Sequence, residues 1–309
     1  MKISTYKLVE QNDKSGKMPV VCNLIGYAKV RYNRELDHIY INPCSGVKPK
    51  KFIPPFSWKS DYFINNIDEC IKKYENLDIQ ELSDYYDGTC ILRYKFGDNR
   101  LCSKYNYNKH IKGINNSILT GCNLNCIMCC ERREYDKREA EVYQKLLDAM
   151  LTKKMEYAGL THVGEPFLFK EQAINFLQNC KSDEVVALTN GTLLNHDDLD
   201  KISECMKKRK IDFSISIDGI TKETYEKIRP TANFEKVMDN IIYSRDIGLL
   251  HHINYTIQRD NLNERDVFKK FFDDLGIKVY VMIAYNPLKK ENIYLPNNIL
   301  NNIDKTLRL

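Results

Sequence analysis

What this sequence lacks narrows its reading first. No apolar run approaches the about eighteen residues that a membrane span needs, so no transmembrane segment is expected. The opening stretch, MKISTYKLVEQNDKSGK, starts basic but has no apolar core and no small-residue cleavage site, so it does not read as a secretory signal. The expected compartment is therefore the cytoplasm. Charge of one sign is not gathered anywhere: 47 Lys and Arg stand against 42 Asp and Glu, and the net +5 permits an anionic partner without arguing for one. A basic stripe with interleaved aromatics, the mark of a nucleic-acid surface, is missing, as are internal repeats and low-complexity tracts. What is present in quantity is hydrophobic residues, 43% of 309, enough to fill one large domain and a smaller one, and cysteine, at 11 copies. In a reducing compartment, cysteines at tight spacing are more often metal ligands than disulfides.

From about residue 113 short β-branched runs alternate with longer amphipathic stretches, the pattern of repeated βα units. Strands are expected at 117–120, 158–163, 185–189, 213–217, 252–257 and 278–282, and helices at about 137–154, 171–179, 197–207, 234–245 and 264–275. Such repeats build either an open barrel or a doubly wound sheet, and both carry their chemistry at the carboxyl ends of the strands. Polar motifs do follow the strands: a cysteine loop, then Gly164-Glu165-Pro166, Thr189-Asn190-Gly191 and Asp218-Gly219. Residues 1–112 differ, with short strand-like pieces, a Pro-rich joint at 52–56 and many tyrosines, and are read as a smaller N-terminal α+β domain. The expected division is 1–112, 113–285 and a polar tail at 286–309.

The sequence Cys122-Asn123-Leu124-Asn125-Cys126-Ile127-Met128-Cys129-Cys130 sets three thiols at CxxxCxxC spacing on one loop. A 4Fe-4S cluster takes one thiolate per iron, so three ligands leave one iron open to a small molecule. Zinc or unrelated buried thiols are the plainer alternatives, but structural zinc prefers four closed ligands, and neither a histidine nor a second CxxC pair flanks the loop. Cys130 reads as a bystander beside Cys129.

The loop resembles the signature of the radical S-adenosylmethionine (radical SAM) superfamily, and that family's later motifs follow in order. Val163-Gly164-Glu165-Pro166 is similar to its Gly-Gly-Glu-Pro turn, with Val163 in place of the first glycine. Leu188-Thr189-Asn190-Gly191-Thr192 and Ser214-Ile215-Ser216-Ile217-Asp218-Gly219 resemble its third- and fourth-strand segments. The resemblance implies a partial (β/α)6 TIM-like barrel within an α/β fold. It implies Cys122, Cys126 and Cys129 as ligands of a 4Fe-4S cluster and S-adenosylmethionine as second cofactor. It also implies cofactor contacts from Gly164, Glu165, Pro166, Thr189, Asn190, Ser216 and Asp218. Arg229 matches an arginine that can clamp the SAM carboxylate, and Thr256 and Gln258 stand where the adenine side is lined. Met128 replaces the family's frequent aromatic and can still pack on adenine. Each has a bland counterpart: Glu165 as a surface acid at a helix start, Asn-Gly and Asp-Gly as ordinary turns, Arg229 as a solvated helix-end residue, Thr256 as a core-strand residue.

Cys22, Cys44, Cys90 and Cys102 precede the core without any CxxC pair, and can be simply buried thiols. The turn around Cys44 resembles the ligand-bearing turns of auxiliary-cluster (SPASM-type) domains, which implies a second cluster on these four. Those domains are normally C-terminal, however, and no cysteine follows Cys205. A six-stranded barrel leaves an open side, and the leading expectation is an oxidoreductase-type enzyme that modifies a ribosomally made peptide or protein, supplied with electrons by a flavodoxin or ferredoxin. Modification of a nucleotide, RNA or small metabolite is the second expectation, and a non-catalytic iron-sulfur redox sensor the third.

Overall fold

The structure is a computed structural model, and it describes residues 27–42, 48–49, 57–76, 86–87, 111–119, 121–129, 136–160 and 164–284. It divides into two compact units.

The first unit draws on Met1–Leu119, Lys137–Gly159 and Cys180–Asp183. It opens with a hairpin of β1 (Tyr27–Asn33) and β2 (His38–Asn42), followed by β3 (Lys48–Pro49), β4 (Ser57–Lys59), α1 (Ser60–Asn65), α2 (Ile67–Glu75) and β5 (Tyr86–Asp87). Then come β6 (Gly113–Asn116), α3 (Lys137–Leu151) and β7 (Tyr157–Leu160), whose last residue falls to the second unit. The strand order is β7-β6-β1-β2-β4, with β3 and β5 paired separately. The hairpin turns on Asp37, at φ 56°. Its carboxylate accepts from Tyr32 Oη at 2.9 Å and Ser60 Oγ at 2.7 Å, tying the turn to the start of α1. Burial acts to raise that carboxyl, but the two hydroxyls and Arg138 outweigh it and hold it below the usual range.

The second unit comprises Thr120–Asp136, Leu160–Asn179 and Glu184–Leu309. Its strands are β8 (Glu184–Thr189), β9 (Lys210–Ser216), β10 (Leu250–Ile257) and β11 (Val279–Ile283), in the order β11-β10-β9-β8 with every pair parallel. Between them run α4 (Lys170–Asn179), α5 (His196–Glu204), α6 (Lys222–Ile228), α7 (Phe234–Asp246) and α8 (Arg265–Asp274). Parallel strands covered on both faces bury both sides of the pleat, and in β9 all five residues from Ile211 to Ile215 are buried. Helix starts are set by short polar side chains: Asn195 and Asp198 form a capping box on α5, and Asn233 accepts from Lys236 N at 2.7 Å on α7. The class is thus mixed α/β with a largely parallel sheet, as expected for a partial (β/α)6 barrel.

The first strand of the series is a correction. It occupies Gly113–Asn116 rather than 117–120, because its partner is β1, in parallel register from Tyr27 opposite Gly113 to Val30 opposite Asn116. Residues 117–119 continue toward the cysteine loop outside any strand. Cys180 lies just past the end of α4, and Cys205 begins a 3₁₀ turn; both are buried. Among the described residues no helix is long and apolar enough to cross a membrane.

Candidate active site

All thirteen candidate residues from Cys122 to Thr256 lie in the second unit. The cysteine loop is held at several points. Gly121 O accepts from Glu165 N at 2.9 Å, Ile228 O accepts from Ile127 N at 3.0 Å, and a turn closes where Cys129 N donates to Cys126 O at 3.1 Å. Asn123 bonds to Thr192 Oγ1 at 2.8 Å through its amide nitrogen and accepts from Asn190 Nδ2 at 2.9 Å, while Asn190 Nδ2 also lies 3.7 Å from Cys122 Sγ. The Thr-Asn-Gly segment after β8 therefore lies against the loop. Gly191 makes this turn at φ 74°, and a Cβ there would stand 2.9 Å from Ile215 Cγ2, so both the backbone and the space call for glycine.

Glu165 is buried, and its carboxylate points inward. Oε1 accepts from Thr189 Oγ1 at 2.8 Å and Phe167 N at 3.1 Å, and Oε2 from Asn190 N at 2.7 Å. Burial pushes this carboxyl up to about 7 against the pull of those donors and of Arg229. Pro166 is the first residue of the 3₁₀ turn 166–169 and is buried too, and Gly164, at φ 73°, is half-buried.

A second node sits at the end of β9. Asp218 Oδ2 accepts from Arg229 Nε at 2.7 Å, with Nη2 also at 2.7 Å, and Oδ1 accepts from Thr256 N at 2.6 Å. Asp218 and Arg229 are both buried. Gly219 follows because a Cβ there would stand 2.5 Å from Tyr225 N. Asn261 completes the node, donating to Asp218 O and Thr256 O at 2.9 Å each and accepting from Gln258 N at 2.8 Å. Sequence reasoning passed over Asn261, whose sole signal is a polar residue in the turn after a strand. Gln258 is fully buried, and neither its amide oxygen nor its nitrogen has a hydrogen-bond partner. Ser216, Thr256 and Met128 are half-buried.

The three thiols of the loop differ in exposure: Cys126 is buried, Cys122 half-buried and Cys129 exposed. Burial pushes the Cys122 thiol up to about 11 and raises Cys126 as well, the latter opposed by the Arg229 guanidinium. Cys126 is an electrostatic neighbour of both other thiols. Three soft donors on one short loop, with a buried cation nearby, fit an anionic iron-sulfur cluster bound through thiolates. Cys22, Cys44, Cys90 and Cys102, together with Val163 and Cys130, lie outside the described residues.

A largely parallel sheet that presents a three-thiol loop and a ring of hydroxyl, amide and carboxylate groups at its strand ends defines an α/β enzyme built around a metal cofactor. More particularly, the chain belongs to the radical SAM superfamily, whose description residues 116–272 match, just over half of its length. Membership implies a 4Fe-4S cluster and S-adenosylmethionine. Among curated proteins, the probable GTP 3',8-cyclase of Methanocaldococcus jannaschii is 25% identical over 199 residues, covering 61% of this chain and 63% of the relative. That of Saccharolobus solfataricus is 24% identical over 191 residues, 59% of each. The chain thus spans about three fifths of these relatives. Among solved structures, SuiB of Streptococcus suis bound to S-adenosylmethionine superposes with a TM-score of 0.50 at 15% identity, over 81% of this chain and 58% of the other, a likeness of fold.

Proposed function

We propose that this enzyme holds its cluster on Cys122, Cys126 and Cys129 and modifies a ribosomally made peptide or protein by abstracting a hydrogen atom from it. Bound there, the reduced cluster and S-adenosylmethionine would supply one-electron reductive cleavage and, from it, hydrogen-atom abstraction. The observation that carries the reading is the linkage of the cysteine loop, through Asn123 and Asn190, to the turn organised by Glu165.

In this reading Glu165 is a positioning residue. Its carboxylate is spent on Asn190 N, Thr189 Oγ1 and Phe167 N, so the polar groups left to meet the SAM amino group are backbone carbonyls of the 164–166 turn. The Asp218–Arg229 pair likewise fixes the ends of β9 and β10, leaving Ser216 to face the ribose or methionine and Thr256 the adenine side, both half-buried. Met128 packs on adenine. Arg229, close to Cys126, offsets negative charge at the cluster.

For the substrate, β11 is the terminal strand of its order among the described residues and Met282 on it is 45% exposed, which suits an extended peptide laid along a strand. An electron donor of the flavodoxin or ferredoxin kind and a cytoplasmic setting accompany this proposal. The curated relatives named as probable GTP 3',8-cyclases favour a second reading, a nucleotide substrate.

The test is anaerobic reconstitution with iron and sulfide, reduction in the presence of S-adenosylmethionine, and chromatography for 5'-deoxyadenosine. Wild type is expected to form it, and Cys122/Cys126/Cys129→Ala to form none. A cluster that assembles without cleaving S-adenosylmethionine would replace the enzyme with a redox sensor. Adding GTP separates the substrates: an unchanged rate fits the peptide reading, whereas GTP-dependent stimulation with loss of GTP overturns it.

A further inference from the structure

Asp212 on β9 and His251 and His252 on β10 bring three ligand atoms together at the amino ends of their strands. His251 Nδ1 lies 2.9 Å from Asp212 Oδ1, His252 Nδ1 lies 3.4 Å from the same oxygen, and the two ring nitrogens are 2.9 Å apart. Consecutive strand residues normally face opposite sides. Here the register between β9 and β10 shifts between Leu250 and His252, a bulge that turns both imidazoles toward one carboxylate. The cluster is built rather than incidental: Asp212 is 8% and His252 7% exposed, and Tyr280 of β11 stacks on the His252 ring with centroids 4.0 Å apart.

One proton cannot lie in line between all three atoms at once. One hydrogen between the two facing Nδ1 atoms serves that pair alone, and Asp212 Oδ1, buried and 2.9 Å from a ring nitrogen, stands in no hydrogen-bonded alignment with either imidazole. A cation at the centre satisfies all three lone pairs. Tetrahedral zinc, with bonds of about 2.0–2.2 Å to imidazole nitrogen and carboxylate oxygen, sets its ligands about 3.3 Å apart. The observed separations lie within a few tenths of an ångström of that.

We infer that Asp212, His251 and His252 form a binding site for a divalent transition-metal ion, zinc by its donor set, that joins β9 to β10 at the end opposite the cysteine loop. Ser216 stands four positions beyond Asp212, about 13 Å along the strand, so this is a second metal centre rather than part of the first. Neutral imidazole with carboxylate suits zinc ahead of the hard cations, and cobalt or nickel would follow it. His251, part-exposed, opens the fourth position to water.

The full chain, loaded with zinc chloride, gel-filtered and assayed for bound zinc, is compared with His251→Ala and with the conservative His251→Gln. X-ray absorption at the zinc edge reports the ligands. Wild type is expected to hold one equivalent more zinc than either variant, with nitrogen and oxygen neighbours at about 2.0 Å and imidazole outer-shell scattering. Zinc captured by the cysteine loop instead shows sulfur neighbours at about 2.3 Å, so the outcome does not depend on the radical reading. Equal zinc in wild type and variants overturns the proposal. So does wild-type absorption that shows sulfur neighbours alone, even if a variant fails to fold.

Discussion

The two ends of the same parallel strands treat buried carboxylates differently. At the carboxyl ends Glu165 and Asp218 are saturated: each is met by three N–H or O–H groups at 2.6–3.1 Å. At the amino ends Asp212 keeps a buried oxygen that two imidazoles face without aligned hydrogen bonds. A saturated carboxylate is framework, since it can serve a ligand only by abandoning a partner; a buried oxygen facing converging lone pairs retains capacity for a cation. The family-like motif acids therefore build the active site without having to touch what binds there, while the acid with spare capacity, Asp212, sits where no motif pointed.

The hardest test of that contrast removes a partner from a saturated group. Arg229→Ala leaves Asp218 as an uncompensated buried charge, and breaking such a pair costs about 3–5 kcal/mol. Urea unfolding of the full chain should show that loss. A loss under about 1 kcal/mol would mean that water enters and replaces the guanidinium, and that the node is softer than its geometry implies. Asp218→Leu with Arg229→Met, which removes both charges, should recover most of it.

Glu165 gives a smaller effect with a pH signature. Its folded value, about 7, lies above the 4.5 ordinary for a glutamate, so the unfolded chain releases this proton first. Stability from this group is fully present below about pH 4.5 and is lost as the pH rises toward 7, by about 1–3 kcal/mol. Glu165→Gln, which cannot ionise, should remove that slope. Urea midpoints at pH 5, 6 and 7 for both proteins provide the check, and parallel curves would show that the three donors keep the carboxylate ionised throughout.

Much of this was legible beforehand. The period-2 and period-3.6 patterns located β8 to β11 and the helices α4, α5, α7 and α8 closely, because those strands are largely buried on both faces, whereas α6, only 7 residues long behind its Thr221 cap, was not expected. The cysteine loop and its following motifs were readable because few residue types meet their demands: Gly191 at φ 74° and Gly219 against the Tyr225 backbone tolerate no side chain. The misplacement of β6 has a physical cause. Gly-Ile-Asn-Asn has poor strand propensity, and pairing with β1, eighty-six residues earlier from Gly113 to Tyr27, decides its position. The direction of Glu165 was not legible either, since the same motif serves a carboxylate facing outward or inward. Nor was the histidine cluster, because a bulge that places two adjacent side chains on one face breaks the alternation on which strand reading depends.

The smallest expected effect lies at the amino ends. With metal removed by chelation, Asp212→Asn should change unfolding stability by no more than about 1 kcal/mol, because Oδ1 makes no aligned hydrogen bond to lose and an amide can donate to a ring nitrogen instead. With zinc added, the same substitution should abolish a stabilisation of wild type that follows mass action and reaches about 2.7 kcal/mol at a hundredfold excess over Kd. A large cost already present in chelator would show that Asp212 is framework like Glu165 and Asp218, and the contrast between the strand ends would collapse. A cost that appears only with zinc would establish that the two ends of this sheet do different work.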